Sequence, residues 1–453
     1  MRQTTQDLGH ALHPFARMGS AALIAAALLL GNPAFAAGQA TAHERVVLGD
    51  LYAQVQRVNP RIAAARYLVQ AALARVPSAT RPPDPQLQLG FMNYSIPTLA
   101  RMPTIGMTQL QVMQMLPLGG KLALAGRIAA ANASATAARS DDVLWDTRSQ
   151  AAMAFYELYV TDRGLDVSRE TLRILQDIEQ TAASMYRVGE GRQADVLRAQ
   201  VEIAKMAADT IRMVAIREGM AARVNALLDR DASLPVGASA LPAFPSNLPA
   251  RAWLDSLADV QRPMVRAALD EVRAAEASEQ LARKELWPDL QIGVQYAQQG
   301  GAMGPDRMGS LMFGASIPVF ARDRQFRMRE EAAAMKDMSR AEVAARRADT
   351  RAKIGEAYAN LTRARSLAQL YRSTILPQAD AAVTAARAAY RVGGVDFMTL
   401  LDDRMTVNKY RQELFALEAD QGKAWVDLEM LTGRELFDPN RIAAPETLAR
   451  GGK

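Results

Sequence analysis

The chain has 453 residues, too many for one ordinary domain, and its 49% apolar and 23% charged content rules out a disordered or collagen-like protein. Its 54 Lys and Arg stand against 48 Asp and Glu with no basic run, which argues against a nucleic-acid partner. Cys is absent and His numbers three, so thiolate metal sites and Cys nucleophiles are excluded, and a triad would depend on His43 once His10 and His13 are removed with a leader. The composition therefore points away from an enzyme and implies no cofactor.

Residues 1–36 read as a secretory signal. Arg2 and Arg17 supply positive charge, Met18 to Leu30 form an apolar core, and Ala34-Phe35-Ala36 is a small-x-small cleavage site. The core is shorter than the roughly 20 residues a transmembrane helix needs. A buried core helix is the alternative. No later apolar run is long enough for such a helix. The mature protein is thus exported, and either stays soluble outside the inner membrane or forms a β-barrel.

The mature chain repeats itself. Pro60 and Pro263, Pro85 and Pro288, and Gly90 and Gly293 are each 203 residues apart, and Tyr186-Arg187-Val188-Gly189 recurs 204 residues later as Tyr390-Arg391-Val392-Gly393. Two tandem repeats follow, at 46–234 and 253–436. Between them 235–252 is a linker containing Pro235, Pro242, Pro245 and Pro249, and 437–453 is a C-terminal tail.

Each repeat begins with a helix of about 20 residues that ends in prolines. Two alternating segments come next, at about 86–95 and 106–116, then at about 289–298 and 309–319. Leu87, Leu89 and Phe91 oppose Gln86, Gln88 and Gly90; Leu110, Val112 and Leu116 oppose Gln109, Gln111 and Met113. Leu290, Ile292, Val294 and Tyr296 oppose Gln291, Gly293 and Gln295; Leu311, Phe313, Ala315 and Ile317 oppose Met312, Gly314 and Ser316. One face is apolar and the other polar but almost uncharged, at the length of a tilted membrane strand. Two half-buried hairpins on a soluble core would show the same alternation. Four strands cannot close a barrel around a lumen, and lipid tolerates no open edge, so membrane strands would require several chains to share one barrel.

A long helical hairpin completes each repeat, at about 119–230 and 322–432. Gly119 to Val188 contains no proline and is rich in good helix formers. A helix of that length, about 105 Å at 1.5 Å per residue, suits a rod, a coiled coil or a tunnel wall. In the second repeat Pro377 predicts a kink or restart. Gly189 and Gly191, then Gly393 and Gly394, sit where each hairpin reverses.

The motifs are modest singly and specific together. They are Asn59-Pro60 with its Ala-rich helix, Leu116-Pro117-Leu118-Gly119-Gly120-Lys121, Tyr186-Arg187-Val188-Gly189 with Asp195-Val196-Leu197-Arg198-Ala199-Gln200, Ile375-Leu376-Pro377-Gln378-Ala379, and Tyr390-Arg391-Val392-Gly393 with Leu400-Leu401-Asp402. Through them the chain resembles the TolC family of outer-membrane efflux channels from about Val46 to Leu436. The resemblance implies a mainly α fold with a small membrane β part. It implies a homotrimer in which four strands per protomer build a twelve-stranded barrel, with a helical tunnel below it in the periplasm. It further implies a passive outer-membrane duct, a periplasmic adaptor (membrane fusion) protein, an inner-membrane pump of RND or ABC type and a shell of outer-membrane lipid.

By the same resemblance the tips that close the tunnel and meet the adaptor span Arg187 to Arg192 and Arg391 to Asp396. They include Val188, Gly189, Glu190 and Gly191, and Val392, Gly393 and Gly394. Asp402 matches one acidic ring of the family's periplasmic gate, and the companion ring falls at Thr399. Asp195 matches a tip aspartate of the closing contacts, whose usual basic partner position is Val395 here. Both aspartates also read as exposed carboxylates near a helix N-terminus. Around a threefold axis an aspartate ring attracts cations, which suits a cation-selective constriction or a pH-sensitive gate.

The cargo reads two ways, as drugs or as metal cations such as copper or silver. Of 22 Met, those at 92, 102, 107, 113, 115, 303, 308 and 312 cluster in the two strand windows. Thioether sulfur is a soft ligand for Cu(I) or Ag(I), and relatives of the Cus and Czc type export heavy metals. Met also simply fills irregular apolar space, and 304–309 reads as a loop outside the pore. The rival functions are a periplasmic adaptor and a coiled-coil scaffold without a pore. An adaptor would carry one helical hairpin, and a scaffold would need no amphipathic strands.

Overall fold

The computed structural model describes residues 45–443 apart from 96, 97, 99, 103–105, 302 and 303, all within one body, Ala42–Lys453. The signal at 1–36, His43, Met303 and the tail's end at 444–453 lie outside the described residues.

Each repeat opens with two helices broken at a proline. The first has α1 (Leu48–Val58) and α2 (Pro60–Ala79). Pro60 disfavours helical backbone at Asn59, which is extended and caps α2, its Oδ1 accepting from Arg61 N at 3.0 Å. The second repeat has α5 (Arg251–Gln261) and α6 (Pro263–Lys284) about the same break. The sequence reading gave each repeat one opening helix and did not name α1 or α5. They bury Leu48, Leu51 and Val55, and Leu254 and Ala258, in the main core.

The strands are β1 (Gln86–Met92), β2 (Tyr94–Ser95), β3 (Ala100–Arg101), β4 (Met107–Leu116), β5 (Leu290–Gly301) and β6 (Gly304–Ala315). Antiparallel pairing runs in the order β1-β4-β5-β6, so the two repeats share one four-stranded sheet, while β2 and β3 make a separate ribbon. Three differences from the sequence reading stand out. Asn93, at φ 55°, breaks 86–95 between β1 and β2. The third strand runs to Gly301, not 298. The fourth runs 304–315 rather than 309–319, because a twelve-residue β5 takes a partner of equal length, Gly301 opposite Gly304 and Leu290 opposite Ala315. Residues 304–309 are therefore strand, not loop, and Ile317 lies beyond it.

Four long helical segments follow. Helix α3 (Lys121–Arg187) has 67 residues, about 100 Å of unbroken helix, and returns as α4 (Gln193–Leu227). In the second repeat α7 (Gln325–Leu370) passes through a π turn, Tyr371–Ile375, into α8 (Leu376–Arg391) and returns as α9 (Phe397–Thr432). Pro377 explains the wide turn. It lacks an N–H, and its ring would collide with the carbonyl four residues back. Leu376 N–H instead donates to Tyr371 O, five residues back, which opens the helix there.

The main core lies where the middle of α3 meets the end of α9, closed by α1, α5 and α7. Phe155, Tyr156 and Trp425 are fully enclosed. The proline-rich 235–252 segment is not a free linker. Val46 pairs with Ser239 and Pro242 with Ile442, and Phe244 meets Phe437, whose ring is buried, edge to face. The tail start, 437–443, is thus part of the fold. Among the described residues no helix is long and apolar enough to cross a membrane.

Candidate functional site

Two surfaces carry the functional reading, the sheet and the helical tips. Residues directly opposite in a ladder share a face, so the register assigns every strand residue. Leu87, Val112, Val294 and Leu311 form one row, and Leu89, Leu110 and Tyr296 lie in the next. Ile292 faces Phe313. This face is uncovered, with Leu87 at 69%, Leu311 at 71% and Phe313 at 73% exposure. On the opposite face Gln88, Gln111, Gln295 and Ser310 form one row, and Gln295 Nε2 donates to Gln109 Oε1 at 2.6 Å. That face is the more shielded: Gly293 and Ala297 are buried while Val294 and Tyr296 between and beside them are exposed. The sheet therefore curls toward its polar side. Strands β1 and β6 each pair along one side only.

The tips are built alike. In the first, Gly189 has φ 82°, and the N–H of Glu190 donates to Met185 O at 2.9 Å. In the second, Gly393 has φ 72°, and the N–H of Gly394 donates to Ala389 O at 2.8 Å. Both are glycine-terminated helix ends with a six-residue closing bond. Gly191 is held closely, since a Cβ there would lie 2.8 Å from Tyr186 N. Arg187 Nη2 donates to Ser184 Oγ at 2.9 Å, and Arg391 ends α8 in solvent. Val188 and Val392 project at equivalent places, exposed at 71% and 83%.

Behind the tips one apolar cluster joins all four helices through Leu175, Ala199, Tyr390, Phe397 and Leu400. Asp195 is in the first turn of α4, half-buried, and faces Tyr390, whose hydroxyl is pushed up by burial and then by that carboxylate. Val395 packs on this cluster and offers Asp195 no cation. Asp402 and Thr399 sit three residues apart on the exposed face of α9. Among the described residues no cation lies within ion-pair distance of Asp402.

Sequence reasoning gave Thr399 a gate position and missed its local role. Asp396 caps α9, its Oδ1 accepting from Thr399 N at 3.0 Å and from the Thr399 hydroxyl. Those bonds hold the Asp396 carboxyl below its ordinary range. The spacing Asp-x-x-Thr after a glycine pair was the available signal. Also missed was Arg411, which reaches from α9 to both Glu170 oxygens at 3.1 Å and to Asp380 at 3.5 Å. It ties the second hairpin to α3, and Arg404, buried about two turns away, has its guanidinium pushed down by burial and by Arg411. No sequence spacing marks that contact, which joins residues 241 apart.

A paired-repeat fold with an uncovered apolar β surface above long closed helical hairpins defines the class, an outer-membrane channel subunit. Residues 51–227 and 254–434 match the family described as outer membrane efflux protein, and the chain belongs to that family. It is 23% identical over 325 residues to the cobalt-zinc-cadmium resistance protein CzcC of Cupriavidus metallidurans, covering 70% of this chain and 75% of that one. Its fold is similar to CusC, whose structures concern folding and transmembrane channel formation, at a TM-score of 0.74 and 18% identity over 87% of this chain and 94% of that one. The outer membrane protein VceC of Vibrio cholerae gives 0.73 and 16% over 86% and 97%.

Proposed function

We propose that three copies of this chain join β6 of one to β1 of the next, closing a twelve-stranded barrel in the outer membrane. The uncovered apolar face opposite a shielded polar one carries this reading. In water such a face is a liability; against lipid it is the stable arrangement, and closure removes both open edges. Apolar residues left exposed on the helices, Leu68 and Leu73 on α2 and Leu197, Val201 and Ile211 on α4, support assembly with further copies. The helices then wall a periplasmic tunnel whose tips, at 187–192 and 391–396, receive an adaptor, and an inner-membrane pump of RND or ABC type drives transport. The chain itself is a passive duct with no catalytic role. Its cargo is metal cations or drugs, metal being favoured by the likeness to CzcC.

Conductance of the purified protein in a planar bilayer, with oligomer mass from light scattering, tests this. A trimer with small, cation-preferring conductance is expected. A water-soluble, non-conducting monomer would overturn the barrel and leave an adaptor or scaffold.

A further inference from the structure

All six methionines of the described strands lie on the polar face of the sheet. They are Met92, Met107, Met113, Met115, Met308 and Met312. The apolar face, where a methionine serving only as filler would be most stable, is built instead mainly from Leu, Val, Ile, Phe and Tyr, with Thr108, Gln114, Gln298 and Arg307 also on it. Register, not composition, reveals this segregation.

The placement is also specific. Met113 on β4 and Met312 on β6 flank Gly293 on β5, in one row across the sheet. A Cβ at Gly293 would lie 3.1 Å from Met113 Cγ and 3.3 Å from Met312 Cε. The two side chains thus lean from either side over the one residue that has none. Met115 lies one row below Met113 on the same face, and Gln291 beside it keeps its Oε1 over Gly314. A second pair, Met92 and Met107, stands directly opposed across β1 and β4, about 20 Å farther along β4 at 3.4 Å per residue. The row of Met113 and Met312 holds no carboxylate, whereas the row of Met92 and Met107 continues through Gln299 to Asp306 on β6. Among the described residues no group of three or more His, Cys, Asp or Glu is placed to hold a metal. Hard or borderline divalent cations find no ligand set in the row of Met113 and Met312, whereas thioethers with amide oxygens beside them select soft monovalent ions.

Resting on the channel reading above, we infer that the polar face carries thioether stations for a soft monovalent cation, Cu(I) or Ag(I), the first formed by Met113 and Met312 over Gly293 and the second by Met92 and Met107. Few ligands per station keep each weak enough for the ion to leave, which a conducting path requires. The ion crosses without redox change, exchanging thioethers for thioethers.

The test uses full-length trimer in detergent, titrated with Ag(I) in chloride-free buffer by calorimetry. Cu(I) X-ray absorption on the same protein reads the ligand atoms. Wild type is expected to bind Ag(I) and to show sulfur scatterers around Cu(I). Met113→Leu with Met312→Leu should weaken the first station about tenfold or more. Gly293→Val, which fills the slot and leaves both sulfurs in the chain, should do the same. Met328→Leu, on α7, should change nothing. Trimer mass and circular dichroism confirm that each variant is folded. Equal Ag(I) isotherms for wild type and the double leucine variant would overturn the site, as would oxygen-only scattering around Cu(I). Wild type that conducts yet binds no Ag(I) rejects the stations alone; wild type that neither trimerises nor conducts rejects the channel.

Discussion

Lys121 Nζ lies 2.8 Å from Asp289 Oδ1 and donates to the Trp287 carbonyl at 3.0 Å. Glu285 stands 3.5 Å away. Lys121 follows β4 and opens α3; Asp289 precedes β5. One buried ammonium therefore ties the two repeats where the sheet meets the helices. Gly119 makes the approach possible, with φ 72° and a Cβ position only 3.3 Å from the Trp287 ring. Replacing Lys121 by Met keeps the chain length and leaves two carboxylates and a carbonyl without their donor. The loss should be about 2–3 kcal/mol, because Asp289 retains some access to water. A lower melting midpoint of the detergent-solubilised protein checks it, and an unchanged midpoint would show the junction is held elsewhere.

The Leu-Pro-Leu-Gly-Gly-Lys motif was visible in sequence, but its lysine's partner was not, since the contact spans 168 residues. The same division holds throughout. The 203-residue repeat, the alternating strands and the effect of Pro377 follow from local chemistry and were legible. The start of β6 was not, because Gly304-Pro305-Asp306 carries turn composition. Proline is tolerated there because β6 is an edge strand of this chain. The 235–252 segment read as a linker because its prolines signal a break, while its ties to 441–443 are long-range. At the tips the glycines were legible; the Asp396 cap on Thr399 and the Arg411 bridge were not.

Gly422 sets α9 close against Tyr156 of α3. A Cβ there would meet the Tyr156 ring at 2.2–2.6 Å, and that ring is fully buried and hemmed by Phe155 and Phe244. Alanine is the better helix former by about 1 kcal/mol. Overpacking a rigid core costs about 1–3 kcal/mol. Gly422→Ala should therefore destabilise despite its propensity gain, and adding Tyr156→Leu should recover part of the loss. Thermal unfolding of the single and double variants decides between the two effects.

Glu429 is buried beside Arg148 and Tyr52, and burial pushes its carboxyl from 4.5 to about 7. Its Oε1 accepts from Leu436 N at 2.7 Å and Phe437 N at 3.3 Å. The folded state thus holds this proton more tightly than the unfolded chain does. Its contribution is full below about pH 4.5 and is lost as pH rises to about 7, by about 3 kcal/mol at most. Glu429→Gln keeps both accepted bonds and removes the titration, while Arg148 retains Glu435 and the Tyr52 ring at 4.0 Å. Melting curves at about pH 5.5 and about pH 8 should show wild type losing more stability than the variant over that interval. Parallel losses would place the titration elsewhere.

Asp402 and Thr399 share an exposed stripe of α9 that continues through Thr406 and Lys409. The opposite face, with Leu400, Leu401 and Val407, is buried against the other tip helices. If the stripe lines the tunnel, a threefold axis brings three Asp402 carboxylates together; Thr399 on the same stripe is neutral, and its hydroxyl is engaged by the Asp396 carboxylate. Divalent or trivalent cations added to the periplasmic side should then block the reconstituted pore through Asp402. Asp402→Ala should weaken that block about tenfold, equivalent to about 1.4 kcal/mol. A Thr399→Asp variant should strengthen it by adding a second ring one turn away, at some cost to the cap. Lys409, two turns further along the same stripe, limits how far the cation-attracting zone extends, so Lys409→Gln should strengthen block modestly in both backgrounds. Block that is indifferent to Asp402 and sensitive to Asp195 would mean that α4, not α9, faces the constriction.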